Sequence, residues 1–584
     1  MIDLKFETEE IPVKEDRDGL KVLNFPQLTP EEERLVDPIV PPTSGLRIQI
    51  YDKKEGDSEN SYILTNRKFF LFLRVFKAIS KKYREMKDNE NRKVLIVTDN
   101  RPSADLLLKF CSEIFAYDGF EVFHQEDKKG KSRMSSPYGA ASVALYDDIN
   151  LILVLTASHN DLVWNGIKFY IDYPIPMSGD LFKEISQIAL NVNRIKLKPV
   201  SPTKIDAEKK NNDYVINLLS RIIELKSLKD ENVIIWPYLG KGRGIVNLFK
   251  RLGANVTLIE ETINPPNPIK TVKKEKLQRV MAEAKSNIAL LLDADRDRIA
   301  LYVKQNGKYF TYIPNEIYSA MHNILARDFD DNILNVRTIP SDLRGDDTSF
   351  LNILTGVGYK HLGIILYFLF GIDVDQSKVD SAILYMEGKD GELIQVKEPK
   401  PLKKRIIELM KEKDLEDLQL TVVMWEESGG HTINILEIKK NGKDFDYTFS
   451  TDLPLIADKY PVPALVLITE LISRGYVINE AIDWSIKGIN RTIDATDEEK
   501  IKIMENFEKN NGKDIEIGNK TYQIRALSDN LGNTEIYQLK SEDSTLYFRP
   551  SGTGPEVRFY IFGDRDTYLE EIKKVQNYVK KNYI

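Results

Sequence analysis

Four stretches of the chain carry side chains whose type and spacing could do chemistry. Asp293-Ala294-Asp295-Arg296-Asp297-Arg298 sets three carboxylates at alternate positions. Such oxygens can converge on one hard cation such as Mg2+ or Ca2+. It is not an EF-hand, because Arg298 stands where that loop requires Gly and Lys304 where it requires Glu. Thr156-Ala157-Ser158-His159-Asn160 presents a serine after an apolar run. A hydroxyl there either caps a following helix or meets a ligand beyond the end of a strand. Arg549-Pro550-Ser551-Gly552-Thr553-Gly554-Pro555-Glu556-Val557-Arg558 combines guanidinium forks, hydroxyls and glycines that let backbone approach closely, a combination suited to a phosphate group. Glu426-Glu427-Ser428 joins carboxylate and hydroxyl, which together accept from and donate to adjacent hydroxyls of a ligand.

Each stretch needs an element to position it, and each follows an apolar run. Leu151 to Leu155 and Ile288 to Leu292 are continuous apolar segments, the pattern of strands buried on both faces. Thr421 to Trp425 runs into Glu426, and Leu546 to Phe548 into Arg549, with a further strand at Phe559 to Phe562. Lys93 to Thr98 followed by the helix Ala104 to Tyr117 makes a βα unit. Val233 to Pro237 is a strand before Gly240-Lys241-Gly242-Arg243-Gly244, which satisfies neither GxGxxG nor GxxxxGK[ST] and reads as a turn before a packing helix. Leu334 to Thr338 and the helix Ala464 to Ser473 are expected in a later domain.

The fold class expected is α/β, with three consecutive α/β domains of mixed sheets around a central cleft and a smaller C-terminal α+β domain. The boundaries expected are 1–200, 201–312, 313–476 and 477–584. Residues 1–40 are expected to lie as an extension on the first domain. Lys196 to Asn212 is expected to be a boundary and Gly475 to Asn490 a linker.

A chain of 584 residues is too long for one core. Its 42% hydrophobic and 30% charged content is an ordinary globular balance. The start, MIDLKFETEE, lacks the pattern of a signal peptide. The longest apolar run, Leu362 to Ile372, is short of the ~20 residues of a membrane span. The lone Cys111 sits in an apolar helical pattern and excludes internal disulfides, which fits a reducing cytoplasm. A net charge of −7 argues against nucleic acid as a partner. An anionic ligand would therefore need a local cluster of Arg and Lys.

Taken in order, these loops resemble those of the α-D-phosphohexomutases, the phosphoglucomutase and phosphomannomutase family. TASHN with Asn165-Gly166 and Lys168 resembles the phosphoserine loop, and DADRDR the D-G-D-x-D-R metal loop with Ala294 for Gly. Glu426-Glu427-Ser428-Gly429-Gly430-His431 resembles E-x-S-G-H, with His431 one place late, and Arg549 to Thr553 resembles R-P-S-G-T, with Gly554 in place of a Glu. Pro42 to Arg47 resembles T-S-G-L-R, and Asp99 to Ser103 resembles G-x-D-x-R-x-S with Val97 for Gly. A looser match, Thr355 to His361, resembles a segment facing the sugar.

The resemblance implies an enzyme that interconverts hexose 1-phosphate and hexose 6-phosphate through phosphorylated Ser158 and a sugar bisphosphate, with glucose preferred and mannose as the alternative. It implies catalytic roles for Ser158, Arg47, Lys168, His159 and Arg298. One Mg2+ per chain would be held by Asp293, Asp295, Asp297 and the Ser158 group. Glu426, Ser428, Lys360, Arg549, Ser551, Gly552, Thr553 and Arg558 would bind substrate, and glucose 1,6-bisphosphate would prime the enzyme. Lys168, crowded by cations, is expected to lose its proton more easily than in water. The partner expected is a phosphosugar, with neither nucleic acid nor membrane, for a cytoplasmic monomer or dimer whose C-terminal domain acts as a lid. Two other classes compete. A haloacid-dehalogenase-type phosphatase would use Asp293 as nucleophile but wants Thr or Val where Asp297 stands, and a non-catalytic paralogue would be expected to lose Ser158 or the Asp triad.

Overall fold

The computed structural model describes residues 4–583 apart from 38–45, 55–59, 88–91, 176–179, 373, 375, 390, 443–445 and 551–555. The chain forms two compact units, one of Met1–Ile313 with Leu453–Ser473 and one of Pro314–Asp452 with Arg474–Ile584.

In the first unit a six-stranded mixed sheet runs Thr203–Ile205, Glu121–Gln125, Lys93–Thr98, Leu151–Leu155, Trp164–Ile171, Arg47–Gln49. The first four strands are parallel, and Trp164–Ile171 is antiparallel to both its neighbours. All five residues of Leu151–Leu155 are buried, which accounts for their unbroken apolar character. The helix Ala104–Tyr117 falls on the residues expected and buries Cys111. A second sheet, Asn255–Leu258, Asn232–Trp236, Ile288–Leu292, Ile299–Gln305, Lys308–Tyr312, again places an apolar strand, Ile288–Leu292, at its centre. Ser158 and Asp293 thus both follow the carboxyl ends of central strands.

Two close approaches fix the Ser158 sheet. Gly166 lies opposite Arg47, and a Cβ on it would sit 2.6 Å from the carbonyl oxygens of Leu46 and Thr156. Both obstacles are backbone, so neither can swing aside. Gly166→Ala is therefore expected to destabilise the protein by about 1–3 kcal/mol, seen as a lower urea midpoint at unchanged slope.

The N-terminal extension packs where expected. Lys5–Thr8 pairs with Ser61–Leu64, and Lys21–Asn24 with Arg194–Leu197. The helix Pro30–Val36 starts with a capping box between Thr29 and Glu32. Lys196 to Asn212, expected to be a boundary, holds regular structure. Thr203–Ile205 is the edge strand of the first sheet, and in the helix Ala207–Ser220 the Asn212 amide oxygen accepts from the Tyr138 hydroxyl at 2.6 Å. Residues 453–473, expected within 313–476, belong to the first unit. There Tyr170 donates to Asp458 at 2.7 Å, and Glu470 accepts from the Ser227 and Leu228 amides at 3.0 Å.

The second unit holds a seven-stranded mixed sheet, ordered Leu393–Gln395, Leu384–Glu387, Leu351–Thr355, Asn332–Thr338, Asp417–Trp425, His431–Lys440, Tyr447–Ser450. It also holds a six-stranded antiparallel sheet, from Ile486–Asp494 through Glu556–Asp564, Thr545–Pro550, Thr534–Lys540 and Lys520–Ser528 to Asp514–Ile517. Its core is closed by Asp497–Lys509 and Tyr568–Tyr583. The linker expected over Gly475 to Asn490 is shorter in fact. Ile486–Asp494 pairs along its whole length with Glu556–Asp564, and the Ala481 carbonyl is held by Asn323 at 2.8 Å. Among the described residues no helix is long and apolar enough to cross a membrane.

Candidate active site

Ser158 is buried and adopts a left-handed backbone, with φ of +52°. For a non-glycine residue that conformation costs roughly 1–3 kcal/mol and persists only where its surroundings impose it. Here they do. The Arg101 guanidinium, fully buried, donates to the carbonyls of Ser158 (2.5 Å), Asn160 (2.8 Å), Asp161 (2.6 Å) and Trp164 (3.0 Å). Its Nε pairs with Asp99 at 3.1 Å. Thr156 Oγ1 donates to Asp99 at 2.7 Å and accepts from the Ser158 amide at 3.0 Å. The hydroxyl-cap alternative for this loop falls away, since the next element is the strand Trp164–Ile171.

Three buried carboxylates face the serine. One oxygen from each of Asp293, Asp295 and Asp297 lies within 4.8 Å of the others. The Ser158 hydroxyl lies 3.3 Å from Asp293 Oδ2, 3.4 Å from Asp297 Oδ1 and 3.3 Å from His159 Nδ1. Asp293 Oδ1 accepts from the amides of Asp297 (3.1 Å) and Arg298 (3.3 Å). Lys168 Nζ reaches Asp295 at 3.0 Å, Asp297 at 3.3 Å and Ser136 Oγ at 2.9 Å. Lys459 Nζ stands 4.0 Å from Asp297, and Arg298 Nε 3.9 Å from it.

Charge and burial oppose one another here. Burial together with the neighbouring Asp297 and Asp295 charges pushes the Asp293 carboxyl well up. Burial also works against ionised Asp297, but Lys168, Lys459 and Arg298 overcome it and hold that carboxyl well down. Burial, helped by the Arg298 charge, takes His159 down to about 3, so its imidazole is neutral. For Lys168 burial is outweighed by Asp295 and Asp297, and the ammonium is held above its ordinary range. These charges act against the expected easy deprotonation. Burial lowers the Arg47 guanidinium, opposed by the Asp295 and Asp297 charges.

In the second unit Glu426 is buried at the end of Asp417–Trp425, and its carboxylate accepts from Ser428 Oγ. Burial and the adjacent Glu426 raise the Glu427 carboxyl, while Arg549 pulls it down. His431 does not join this loop. It faces the core, its Nε2 at 3.0 Å from His322 Nε2, its ring 4.5 Å from that of Tyr318, and burial holds it neutral. Lys360 lies on the short helix Tyr359–Leu362, while His361 is buried and accepts from the Ile383 amide at 3.2 Å. Arg549 and Arg558 face each other across paired strands. The Arg549 Nε is buried with no hydrogen-bond partner, and Arg558 Nε is held by Glu556 at 2.8 Å. Ser551, Gly552 and Thr553, like Pro42 to Gly45, lie outside the described residues.

A family model described as phosphoglucomutase/phosphomannomutase, alpha/beta/alpha domain I, matches residues 58–195. The phosphoglucosamine mutase of Caldanaerobacter subterraneus is 33% identical over 159 residues, 25% of this chain and 34% of that protein. That of Alkaliphilus oremlandii is 28% identical over 235 residues, 38% of this chain and 49% of its own. The chain thus spans between a third and a half of the length of these relatives. Among solved structures, parafusin, a phosphoglucomutase of Paramecium, has a TM-score of 0.59 at 14% identity, with 96% of each chain covered. A phosphoglucomutase/phosphomannomutase family protein of Burkholderia thailandensis has a TM-score of 0.56 at 14% identity, covering 94% of this chain and 97% of that one. Residues 58–195 thus match the first domain of the phosphoglucomutase/phosphomannomutase family, and the fold as a whole is that of these solved structures.

The donor set of this site fits a hard divalent cation. All three donors are carboxylates, and Asp295 Oδ1 is buried with no hydrogen-bond partner. Burial and like charges have raised Asp293, a cost that a cation would offset. Asp295→Asn is expected to weaken Mg2+ binding at least tenfold in calorimetry while leaving the circular dichroism unchanged. Undiminished Mg2+ affinity would contradict the assignment.

Asp99 and Arg101 stand within a sequence motif that assigns them no role, and Lys459, Asp458 and Ser136 come from segments that carry no motif of their own. A buried Asp-x-Arg directly after a strand was the one available signal.

Proposed function

We propose that this chain is a phosphohexomutase, moving a phosphoryl group between O1 and O6 of a hexose through Ser158. The observation that carries the proposal is the Ser158 hydroxyl set 3.3–3.4 Å from two carboxylates of a buried Asp triad. A divalent cation on that triad would supply Lewis-acid charge to the phosphoryl oxygens. Phosphorylated Ser158 gives its phosphoryl group to the free sugar hydroxyl, whose proton passes to solvent as the new ester forms and so balances the proton that Ser158 Oγ takes up. The resulting bisphosphate turns over and returns its original phosphate to Ser158 Oγ. Lys168, held as an ammonium, offers its charge and a proton to the bridging oxygen as the ester breaks. Arg47 and Arg298 add positive charge beside it. Arg549, with Ser551 and Thr553, takes the phosphate that does not react, as the resemblance implies, and Glu426 with Ser428 takes ring hydroxyls.

Glucose 1-phosphate is the substrate assigned to this site, with mannose 1-phosphate also turned over. A site that holds a sugar in two opposed orientations keeps only contacts that survive the flip, and a hydroxyl left without a contact discriminates weakly, by roughly 1–3 kcal/mol. Purified chain with Mg2+ and a trace of glucose 1,6-bisphosphate is expected to convert glucose 1-phosphate to glucose 6-phosphate. Its kcat/KM for mannose 1-phosphate should fall within about a thousandfold, some ~4 kcal/mol. Glucosamine 1-phosphate is the third arm, since the relatives above carry that sugar in their names. Release of inorganic phosphate without isomerisation would overturn the proposal in favour of a phosphatase.

A further inference from the structure

The first unit contains a cavity of about 640 Å3 that the proposed chemistry does not use, and neither Ser158 nor any of the three aspartates lines it. Its wall joins the loop around Lys129 to the start of the helix Arg243–Arg251, the Gly-Lys-Gly-Arg-Gly turn of the sequence. Seven cations, Lys128, Lys129, Lys131, Arg133, Lys241, Arg243 and Arg296, line it against two carboxylates. The chain as a whole carries −7, so this is a local concentration and not a consequence of composition. Lys131 and Lys241 pair with Asp105 (2.5 Å) and Glu260 (3.0 Å), exposed ion pairs that contribute little and exchange readily.

Two further features point inward. Gly242, the residue before the helix, has a left-handed φ of +52° and no side chain to cap it, so the positive end of the helix dipole faces the wall. Behind it lies Arg296, only 4% exposed, whose two terminal nitrogens are taken by the carbonyls of Ala294 (2.5 Å) and Leu239 (2.8 Å). Its Nε has no hydrogen-bond partner and lies 4.0 Å from where a Cβ on Gly242 would be. The Nε of Arg133 is likewise buried and without a partner. Buried donors of this kind are rare and call for an acceptor. An oxyanion with several free oxygens supplies one, through charge-assisted hydrogen bonds.

We propose that this cavity is an anion site for a small-molecule polyphosphate, a ligand with two or more linked phosphate groups. A single phosphate would leave most of the cavity and most of its cations unused. A nucleic-acid backbone would meet the exposed lysines but not the guanidinium nitrogens buried behind them.

The test uses the full chain in Mg2+-free buffer, with inorganic tripolyphosphate as probe and inorganic phosphate and a single-stranded RNA oligonucleotide as comparisons. Calorimetry should give saturable tripolyphosphate binding, weakened at least tenfold by Lys241→Glu/Arg243→Glu and unchanged by Arg549→Ala, which alters the phosphate grip of the proposed mutase site. Lys128→Glu/Lys129→Glu, on an exposed loop, should weaken it in the same sense and serves should the first variant fail to fold. Affinity indifferent to both pairs of charge reversals, or abolished by Arg549→Ala, would overturn the proposal. So would RNA binding tighter than tripolyphosphate.

Discussion

Ser158→Ala is expected to lower mutase turnover at least a thousandfold, about 4 kcal/mol of transition-state stabilisation, and to abolish labelling of the protein by a phosphate donor. The Thr156 hydroxyl of this loop is taken up by Asp99 and the Ser158 amide, whereas the Ser158 hydroxyl faces the Asp triad, and the effect of its loss should come without loss of fold. Alanine meets the same left-handed backbone that serine already tolerates, because Arg101 holds the loop through main-chain carbonyls and not through the Ser158 side chain. The chemistry of the label decides between the two readings of this acidic site. A serine phosphate is an ordinary ester and survives hydroxylamine, whereas an aspartyl phosphate is an acyl phosphate and is cleaved. The mutase reading expects a hydroxylamine-stable label at Ser158. A labile one, mapping to Asp293, would mean that the triad supplies the nucleophile.

Much of this site was legible because it sits where local rules act. The strands Leu151–Leu155 and Ile288–Leu292 announce themselves as unbroken apolar runs, since each is covered on both faces, and the polar residues that end them are the site. The alternation Asp293, Asp295, Asp297 reads as a cation loop from donor chemistry alone. Composition says less about structure. Lys196 to Asn212 is charged and contains a proline, yet it supplies an edge strand and a helix whose polar side chains, Asn211 and Asn212, are buried and bonded to Tyr138. Gly475 to Asn490 looked like a linker because Ile486–Asp494 is an edge strand with mixed burial, so the alternation that marks a strand is weak. His431 keeps the residue type of the family's sugar loop, but register puts it opposite Trp425 with its ring against His322. Lys459 reaches Asp297 only because residues 453–473 return to the first unit, a long-range event that no window of sequence contains.

The Asp99–Arg101 pair shows how a residue without reactive chemistry governs one that has it. Both side chains are fully buried and lie 3.1 Å apart, and Arg101 also holds four carbonyls of the loop from Ser158 to Trp164. Arg101→Met keeps most of the volume but leaves a buried carboxylate without its cation, a loss of about 3–5 kcal/mol. Burial already raises Asp99 against the pull of Arg101. Without Arg101 the carboxyl would rise further, and a raised acid favours folding below its unfolded-state pKa and opposes it as pH climbs through the folded one. The destabilisation should therefore grow as pH rises and ease toward acid. Asp99→Asn placed on top should recover part of the loss, since it removes the orphaned charge, and the cycle of the two variants measures the coupling. Turnover should fall as well, by about a hundredfold, the consequence of a reacting group displaced by ~1 Å, and the double variant should not restore it, because the four loop carbonyls stay without their donor. Urea midpoints between pH 5 and 8, read beside kcat, separate the two effects. An Arg101→Met protein within about 0.5 kcal/mol of the parent, the range of ordinary surface substitutions, would show that the Ser158 loop holds its left-handed turn without this clamp.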